Sequence, residues 1–275
     1  HMKYNKVGII FNESKTKAAE YARTIEKWLL ERNIGVKKIS KYLTKNPEID
    51  FIISLGGDGT MLRTSRIVSP FSIPIIGVNM GTLGFLTDTG TDEVFESIEY
   101  VLKHGLCCQE RMMLYVEFAS GKKTIKTTAL NDCVIRSVYD GRLASIDAFI
   151  DGNFLCNYKG DGIIVSTPTG STAYSLAISG PIVYPTLSLF IVNPISPHTL
   201  THRPMIIPSE KTLEFAISKN SKKHDLVVSI DGQENYVLKH DKKVTVKAYL
   251  KPARFIKIHK DNYFETLKTK LNWGV

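Results

Sequence analysis

The segment IDFIISLGGDGTMLRTSRIV, residues 49–68, decides the fold of the first part of the chain. Its apolar run, Ile49–Leu55, has the continuous hydrophobicity of a strand that is buried on both faces of a parallel sheet. The glycines at positions 56 and 57 end this strand, and Thr60–Val68 has the composition of a helix. The segment therefore predicts a β–α unit whose glycine turn lies at the carboxyl edge of the sheet.

Strand and helix patterns alternate on both sides of this segment. Two more helices are predicted, with Asn12 or Ser14 expected to cap the first, Thr91 expected to cap the second, and Gly105 just past the end of the second. Their apolar residues recur at helical spacing: Ala18, Ala22, Ile25 and Leu29, then Val94, Phe95, Ile98, Val101 and Leu102. The other predicted strands are Val7–Phe11, Val36–Ile39 and Pro74–Val78. This alternation predicts an α/β N-terminal domain, a parallel sheet with helices, over residues 1–105.

Beyond residue 105 the pattern changes to short runs rich in Val, Ile, Tyr, Phe and Thr, separated by turn residues. We predict a mostly-β C-terminal domain, a two-sheet sandwich, over residues 106–255. Segment 256–275, with a helix at Tyr263–Leu271, is expected to complete the first domain. Asp151-Gly152-Asn153 predicts a hairpin turn. The predicted strands are Met112–Phe118, Thr127–Arg136, Ile146–Ile150, Phe154–Tyr158, Ile163–Thr167, Met205–Ile207, Thr212–Ile217, Leu226–Ile230, Val244–Tyr249 and Phe255–His259.

The composition narrows the class of protein. The chain has 275 residues, 43% of them hydrophobic, and a formal net charge of +9. No nucleic-acid-binding signature is visible, no apolar run approaches the ~18 residues that span a bilayer, and the first residues do not resemble a secretory leader. We therefore expect a cytoplasmic protein with no nucleic acid or membrane partner, whose basic charge suits anionic small substrates. No metal-ligand cluster is visible, and reduced thiols are expected at Cys107, Cys108, Cys133 and Cys156.

Asp58 is the first candidate functional residue. In SLGGDGT, residues 54–60, glycines let backbone N–H groups approach phosphate oxygens, and the start of the following helix favours negative charge. A carboxylate in such a turn suits a proton acceptor better than an anion ligand, so Asp58 is the candidate general base. The alternative is a tight turn in which Asp58 only caps the helix. The signatures of P-loop kinases and of dinucleotide-binding dehydrogenases are both absent.

A second candidate site is KGDGIIVSTPTGSTAYSLAISGP, residues 159–181. Another Gly-Asp-Gly is followed by a loop dense in hydroxyl side chains, which can bond ribose and phosphate oxygens. Tyr174 can stack on a base or a nicotinamide ring. The alternative is a helix cap by Thr169 or Ser171, which would need a single hydroxyl.

The two segments GGDGT, residues 56–60, and GDGIIVSTPTGSTAYSL, residues 160–176, together resemble the bacterial NAD kinase family. Shorter segments resemble it too: GTLGF at 81–85, LND at 130–132 and SIDGQ at 229–233. Order and spacing match from Lys6 to the end, whereas GGDG alone is shared with diacylglycerol kinases and phosphofructokinases. The resemblance implies an enzyme that phosphorylates the adenosine 2′-hydroxyl of NAD to give NADP, using ATP, another nucleoside triphosphate or polyphosphate.

The resemblance also implies residue roles. Asp58 would accept the proton of the 2′-hydroxyl, Phe85 would pack by the adenine, and Asp161 would contact the nicotinamide riboside. Asn131 and Asp132 would hold the adenosine. The other expected NAD contacts are Gly59, Arg142, Lys159, Thr172, Ala173, Tyr174, Ser175, Ala177 and Gln233. The expected phosphate-donor loop is Gly56, Gly57, Gly59, Thr60 and Arg63, with Mg²⁺ or another divalent cation arriving on the donor.

Several alternatives stay open. Asn131 could be a strand-end turn residue and Phe85 a core residue, while Arg142 and Lys159 could be surface charges. Ala177 stands where many family members carry Ser, and the chain is shorter than usual between residues 185 and 190.

The family implies a homodimer or homotetramer. Other possible functions are a GGDG-type kinase for a lipid or sugar and a non-catalytic dinucleotide-binding regulator. The sequence decides neither donor preference, nor NADH acceptance, nor feedback.

Overall fold

The computed structural model describes residues 4–40, 43–81, 84–87, 89–138, 143–199, 201–218, 225–258 and 263–273. The chain divides into two units, His1–Glu110 with Ala253–Val275, and Arg111–Pro252. Each unit buries its own cluster of apolar side chains.

The helices and strands follow one another in this order. The first part of the chain contains β1 Lys6–Phe11, α1 Thr16–Leu30, β2 Gly35–Lys38, β3 Phe51–Gly56, α2 Asp58–Val68, β4 Ile75–Asn79, β5 Thr89–Gly90, α3 Val94–His104 and β6 Cys108–Arg111. The middle part contains β7 Leu114–Ser120, β8 Lys123–Ala129, β9 Asp132–Ser137, β10 Ala144–Ile150, β11 Asn153–Gly160, β12 Gly162–Ser166, α4 Tyr174–Ala177, β13 Leu189–Ile195, β14 Met205–Pro208, β15 Leu213–Ile217, β16 Leu226–Ile230, β17 Glu234–Leu238 and β18 Lys243–Ala248. The last elements are β19 Ala253–Ile256 and α5 Tyr263–Leu271. Single 3-10 turns lie at Ser69–Phe71 and Thr169–Thr172.

The first unit is built on a sheet in the order β2-β1-β3-β4-β19-β6, with β5 beside β4. Strand β3 lies inside this sheet, between β1 and β4, and all of its residues are buried. It pairs in parallel with both neighbours, as its continuous apolar sequence predicts. The four apolar residues predicted for α1 are all buried in the structure. The predicted α/β fold of this part is therefore confirmed.

The predicted helix starts are wrong, whereas the predicted end of α3 is correct. The N-cap of α1 is Lys15, because the Asn12 side chain instead accepts bonds from the N–H and the hydroxyl of Ser14. The N-cap of α3 is Glu93 rather than Thr91, and it makes no side-chain cap bond. Gly105 follows α3 with φ 92°, a left-handed conformation that glycine adopts without strain.

The second unit contains two antiparallel sheets, in the orders β11-β10-β15-β18-β7-β8 and β14-β13-β12-β9-β16-β17. Both sheets contribute to one apolar core, which includes Phe215 from the first sheet and Phe190 from the second. The predicted two-sheet sandwich is confirmed. The predicted hairpin turn is confirmed as well, since Asp151 and Gly152 join β10 to β11 with φ values of 50° and 78°.

The strand predictions of the second unit need correction, and β17 is among the strands that were not predicted. The run Thr127–Arg136 is not one strand, because the chain turns at Leu130–Asn131 between β8 and β9. Strand β13 was not predicted, although it is almost wholly buried. It contains Pro194, a residue that cannot donate a ladder hydrogen bond.

Candidate active site

The GGDG turn lies where β3 ends and α2 begins. Gly57 is the helix N-cap in an extended conformation, and no side chain caps this helix. A Cβ atom at Gly56 would lie 2.2 Å from Thr60 Oγ1, so glycine is needed for a helix that starts so soon after the strand. Asp58 is the first residue of the helix, and the alternative in which it caps the helix is wrong.

The carboxylate of Asp58 is held by the backbone of the GTLGF segment. The N–H of Phe85 donates to Oδ2 at 3.0 Å, and the N–H of Leu86 donates to Oδ1 at 3.1 Å. A Cβ atom at Gly84 would lie 2.1 Å from Asp58 Oδ1, so this approach needs a glycine. A carboxylate offers about four acceptor positions. Two backbone bonds therefore fix its orientation and leave it able to accept a hydrogen bond from a hydroxyl.

The other predicted residues of the first unit surround this turn. Gly57 and Gly59 are exposed, and Thr60 and Phe85 are half-buried. The guanidinium of Arg63 donates to the carbonyl oxygen of Ser40. Their roles in binding the phosphate donor or the adenine stay predictions. Thr82 and Leu83 of the GTLGF segment lie outside the described residues.

In the second unit, the turn before β9 is held by a carboxylate from the β16–β17 turn. Asp231 accepts hydrogen bonds from the N–H groups of Leu130 at 3.1 Å, Asn131 at 2.8 Å and Asp132 at 3.2 Å. The N–H of Asp231 donates in return to the carbonyl oxygen of Asp132 at 3.0 Å. These bonds fix the LND segment from the side of its N–H groups.

The hydroxyl-rich loop holds the carbonyl side of the same turn. The hydroxyl of Thr167 donates to the carbonyl oxygen of Leu130 at 2.5 Å, and that of Ser166 to the carbonyl oxygen of Asn131 at 3.1 Å. A Cβ atom at Gly170 would lie 2.2 Å from the carbonyl oxygen of Asn131, which explains the glycine in this loop. Buried hydroxyls need internal partners, and these two hydroxyls therefore serve the fold rather than a ligand.

Further hydroxyls of the loop also bond within the protein. The buried Ser171 hydroxyl donates to the carbonyl oxygen of Val183 and accepts the N–H of that residue. Ser175, a predicted NAD contact, is buried, and the Asn193 side-chain amide donates to its carbonyl oxygen at 3.2 Å and to its hydroxyl at 3.5 Å. The half-buried Thr172 hydroxyl makes a long bond of 3.4 Å to the carbonyl oxygen of Thr169. Most of the predicted hydrogen-bonding surface of the loop is thus turned inward.

A cavity of about 280 Å³ lies beside the Asn131–Asp132 turn. Four predicted NAD contacts line it: Asn131, Asp132, Ala173 and Tyr174. Five lining residues were not predicted: Val134, Arg136, Ser229, Asp231 and Gly232. The last three, Ser229, Asp231 and Gly232, belong to the SIDGQ segment, which was a signal for them. Val134 and Arg136 share the face of β9 on which Asp132 lies, because side chains alternate along a strand.

Asp132 has an unusual electrostatic environment in this cavity. It is 5% exposed, and Asp231 beside it is 8% exposed. Burial, and then the negative charge of Asp231, raise the pKa of Asp132 from 3.8 to about 7. The cavity therefore contains a carboxyl group that changes its charge near neutral pH.

The remaining predicted contacts are not among the residues that line this cavity. Lys159 and Asp161 are exposed at the junction of β11 and β12. Gln233 and Ala177 are exposed as well. Arg142 lies outside the described residues. In the part of the chain that the structure describes, no helix is long and apolar enough to cross a membrane.

Comparison with known proteins agrees with these motifs. The ATP-NAD kinase N-terminal domain family matches residues 38–106, and the ATP-NAD kinase C-terminal domain family matches residues 130–258. An NAD kinase of Thermoanaerobacter sp. (strain X514) is 39% identical over 280 residues, which cover 97% of this chain and 98% of that protein. This chain belongs to the NAD kinase family. An NAD kinase of Geotalea daltonii is 36% identical, over 98% of this chain and 99% of its own length.

Solved structures of NAD kinases share the fold. An NAD kinase from Archaeoglobus fulgidus in complex with ATP has a TM-score of 0.77 and 25% identity, with 97% of this chain and 98% of that chain covered. Yeast NADH kinase complexed with NADH has a TM-score of 0.86 at 24% identity, with 98% and 88% covered. The family resemblance and the fold class expected from the sequence are confirmed.

Proposed function

We propose that this protein is an NAD kinase that transfers a phosphoryl group from ATP to NAD. The observation that carries the proposal is 39% identity to an NAD kinase over almost the whole length of both chains. The acceptor is the 2′-hydroxyl of the adenosine ribose, and the product is NADP. Another nucleoside triphosphate or polyphosphate can donate a phosphoryl group by the same chemistry.

Asp58 is the proton acceptor in this proposal. A secondary alcohol must lose its proton as its oxygen attacks the phosphorus atom, and a positioned carboxylate can take that proton. Two backbone N–H groups hold the Asp58 carboxylate in one orientation. This arrangement supports the role because phosphoryl transfer depends mainly on alignment.

NAD contacts the cavity beside the Asn131–Asp132 turn. Asn131 and Asp132 line it with polar groups, and Tyr174, which is 43% exposed, offers a ring on which a base can stack. We further propose that Lys159, Asp161 and the other predicted contacts bind the remainder of the dinucleotide. The donor phosphates are bound by the Gly56–Thr60 turn and Arg63.

A divalent cation, Mg²⁺ or a similar ion, accompanies the donor. It would neutralise charge on the donor phosphates. Among the described residues no group of three or more His, Cys, Asp and Glu side chains is arranged to hold an ion. We expect the cation to arrive with the nucleotide, because Mg²⁺ in such sites is bound largely by the substrate phosphates.

The family resemblance also supports a homodimer or homotetramer in the cytoplasm. Size-exclusion chromatography with light scattering would measure the oligomeric state. A mass equal to one chain of 30.8 kDa would contradict this part of the proposal.

The function is tested by mixing protein, NAD, ATP and Mg²⁺ and detecting NADP with an NADP-specific dehydrogenase. We expect NADP to form with the wild-type protein. The variant Asp58→Asn is expected to bind NAD and to lose turnover by at least about a hundredfold, because it cannot accept the proton. Near-normal turnover of this variant would remove Asp58 from the role of base.

Asp50→Asn is the matched control. Asp50 precedes β3, the strand that Asp58 follows, and its carboxylate also accepts two backbone N–H groups, those of Asn5 and Lys6, both at 2.8 Å. Both substitutions replace a carboxylate that accepts two backbone N–H groups in the same unit. Only Asp58→Asn should abolish turnover, so an equal loss in both variants would indicate a folding effect.

A further inference from the structure

The turn Leu130–Asp132 is held by groups that are distant in sequence. Asp231 lies 99 to 101 residues from the three N–H groups that it accepts. Thr167 lies 37 residues from the carbonyl oxygen of Leu130 that it bonds. The turn therefore owes its shape to tertiary bonds rather than to local ones, and both residues after Leu130 line the cavity.

We propose that Asp231 is a positioning residue for NAD binding, whose carboxylate fixes the Leu130–Asp132 turn so that Asn131 and Asp132 are presented to the ligand. The inference depends on the proposed function in one respect, that NAD is the ligand of this cavity. It adds a residue that the sequence did not identify, since the SIDGQ segment suggested only Gln233.

The geometry points to positioning rather than to direct contact. A carboxylate has about four acceptor positions, and three N–H groups occupy the Asp231 carboxylate. Asp231 as a whole is 8% exposed. Little of its bonding capacity thus remains for a ligand, whereas every N–H group of the turn depends on it.

The backbone of the β16–β17 turn explains why a short acidic side chain stands at this position. Asp231 has φ 49° and Gly232 has φ 64°. Among residues with a side chain, Asp and Asn adopt this left-handed conformation most readily. Asn would keep the conformation and the size, but its amide offers one acceptor oxygen in place of two.

The charge of Asp231 also acts on Asp132. It adds to burial in raising the pKa of Asp132 to about 7. The other charged or titratable groups around Asp132 are Arg136 and Tyr174, which line the cavity, and the buried thiol of Cys133, whose pKa is raised by burial and by both carboxylates. Removal of the Asp231 charge should therefore lower the pKa of Asp132.

The test uses Asp231→Asn in the full-length protein, with NAD binding measured by titration calorimetry and turnover measured separately. We expect the Kd and the KM for NAD to rise about tenfold or more, since bonds to a charged acceptor are lost at the turn. The KM for ATP should change by less than about twofold. The pH at which NAD affinity changes should move below that of the wild type. A general loss of structure would raise the KM values for NAD and ATP together, whereas the positioning role raises only the KM for NAD.

Asp151→Asn is the matched control. Asp151 also precedes a glycine in a hairpin turn, has φ 50°, and accepts a backbone N–H, that of Thr212 at 2.9 Å. It is exposed, is ion-paired with Lys211, and is not among the cavity residues. This control should leave the Kd for NAD unchanged.

Thr167→Val is a second variant that keeps the proposal testable if Asp231→Asn does not fold. It removes the bond to the carbonyl oxygen of Leu130, and with it the bond that the same hydroxyl accepts from the N–H of Gly170, without changing Asp231. It should raise the Kd for NAD severalfold. Unchanged NAD affinity in a folded Asp231→Asn or Thr167→Val protein would overturn the inference. If the wild type binds NAD without making NADP, the proposed function fails, and the calorimetric comparison still decides this inference.

Discussion

Gly84 lies so close to Asp58 that a Cβ atom on residue 84 would come within 2.1 Å of Asp58 Oδ1. The same carboxylate accepts the N–H groups of Phe85 and Leu86. The glycine of the GTLGF segment therefore makes room for the acid of the GGDG turn. The two motifs are in direct contact, so a substitution in the GTLGF segment should displace the carboxylate of the GGDG turn.

Gly84→Ala is expected to displace the Asp58 carboxylate and to lower kcat by roughly a hundredfold, because an error of about 1 Å in a reacting group has this effect. Gly81→Ala is the control, since a Cβ atom there would meet nothing within 4 Å. Steady-state kinetics of both variants, with circular dichroism to confirm folding, provide the measurement. Equal activity of the two variants would show that Gly84 does not restrict Asp58.

Asp132→Asn should change how stability depends on pH. The pKa of Asp132 is raised from 3.8 to about 7, so the folded protein holds this proton more tightly than the unfolded chain does. Its contribution to stability is full below pH 3.8 and is lost as the pH rises through about 7. The variant cannot ionise, and we expect it to be more stable than the wild type at pH 8, by at most about 4 kcal/mol.

Urea denaturation at pH 5 and pH 8 measures this effect. Asp241→Asn is the control, because that exposed carboxylate has its pKa lowered by a hydrogen bond from Lys242. Its substitution should leave the difference between the two pH values unchanged. The prediction is wrong if Asp132→Asn shifts stability equally at both pH values.

The buried hydroxyls of Ser54 and Thr64 couple β3 to α2, the elements on either side of the GGDG turn. Both residues are 0% exposed, and their oxygens lie 2.8 Å apart. Ser54→Ala should cost about 1–2 kcal/mol, because it leaves the Thr64 hydroxyl without this partner. Adding Thr64→Val should restore part of the loss, since both polar groups are then removed together.

A double-mutant cycle in urea measures this coupling. If the double variant loses as much unfolding free energy as the two single variants together, the bond between the two hydroxyls contributes nothing to stability. The catalytic rate of the folded double variant should stay near that of the wild type, since neither hydroxyl belongs to the candidate site.

Local patterns predicted the first unit well, because its structure is mostly local. The apolar run of β3, the helical spacing of Ala18, Ala22, Ile25 and Leu29, and Gly105 at the end of α3 each act within a few residues. The helix starts were less predictable. The Asn12 side chain can either cap α1 or accept hydrogen bonds from Ser14, and in the structure it bonds Ser14.

The second unit depended more on contacts that sequence patterns do not show. The run Thr127–Arg136 looks like one strand, and only the bonds from Asp231 and Thr167 show that it turns at Leu130–Asn131. The turn sets where β9 begins, so without it the sequence could not show that Arg136 shares a face of the strand with Asp132. The hydroxyl-rich loop was recognised as important, but which hydroxyls face inward depends on its tertiary partners.

The long separation between Asp231 and the turn that it holds has a consequence for biosynthesis. A nascent chain that ends before residue 231 would lack the acceptor for the three N–H groups of Leu130, Asn131 and Asp132. Water would solvate those groups until the β16–β17 hairpin leaves the ribosome. The cavity would therefore form late in translation, and truncated products would lack the ordered turn that lines it.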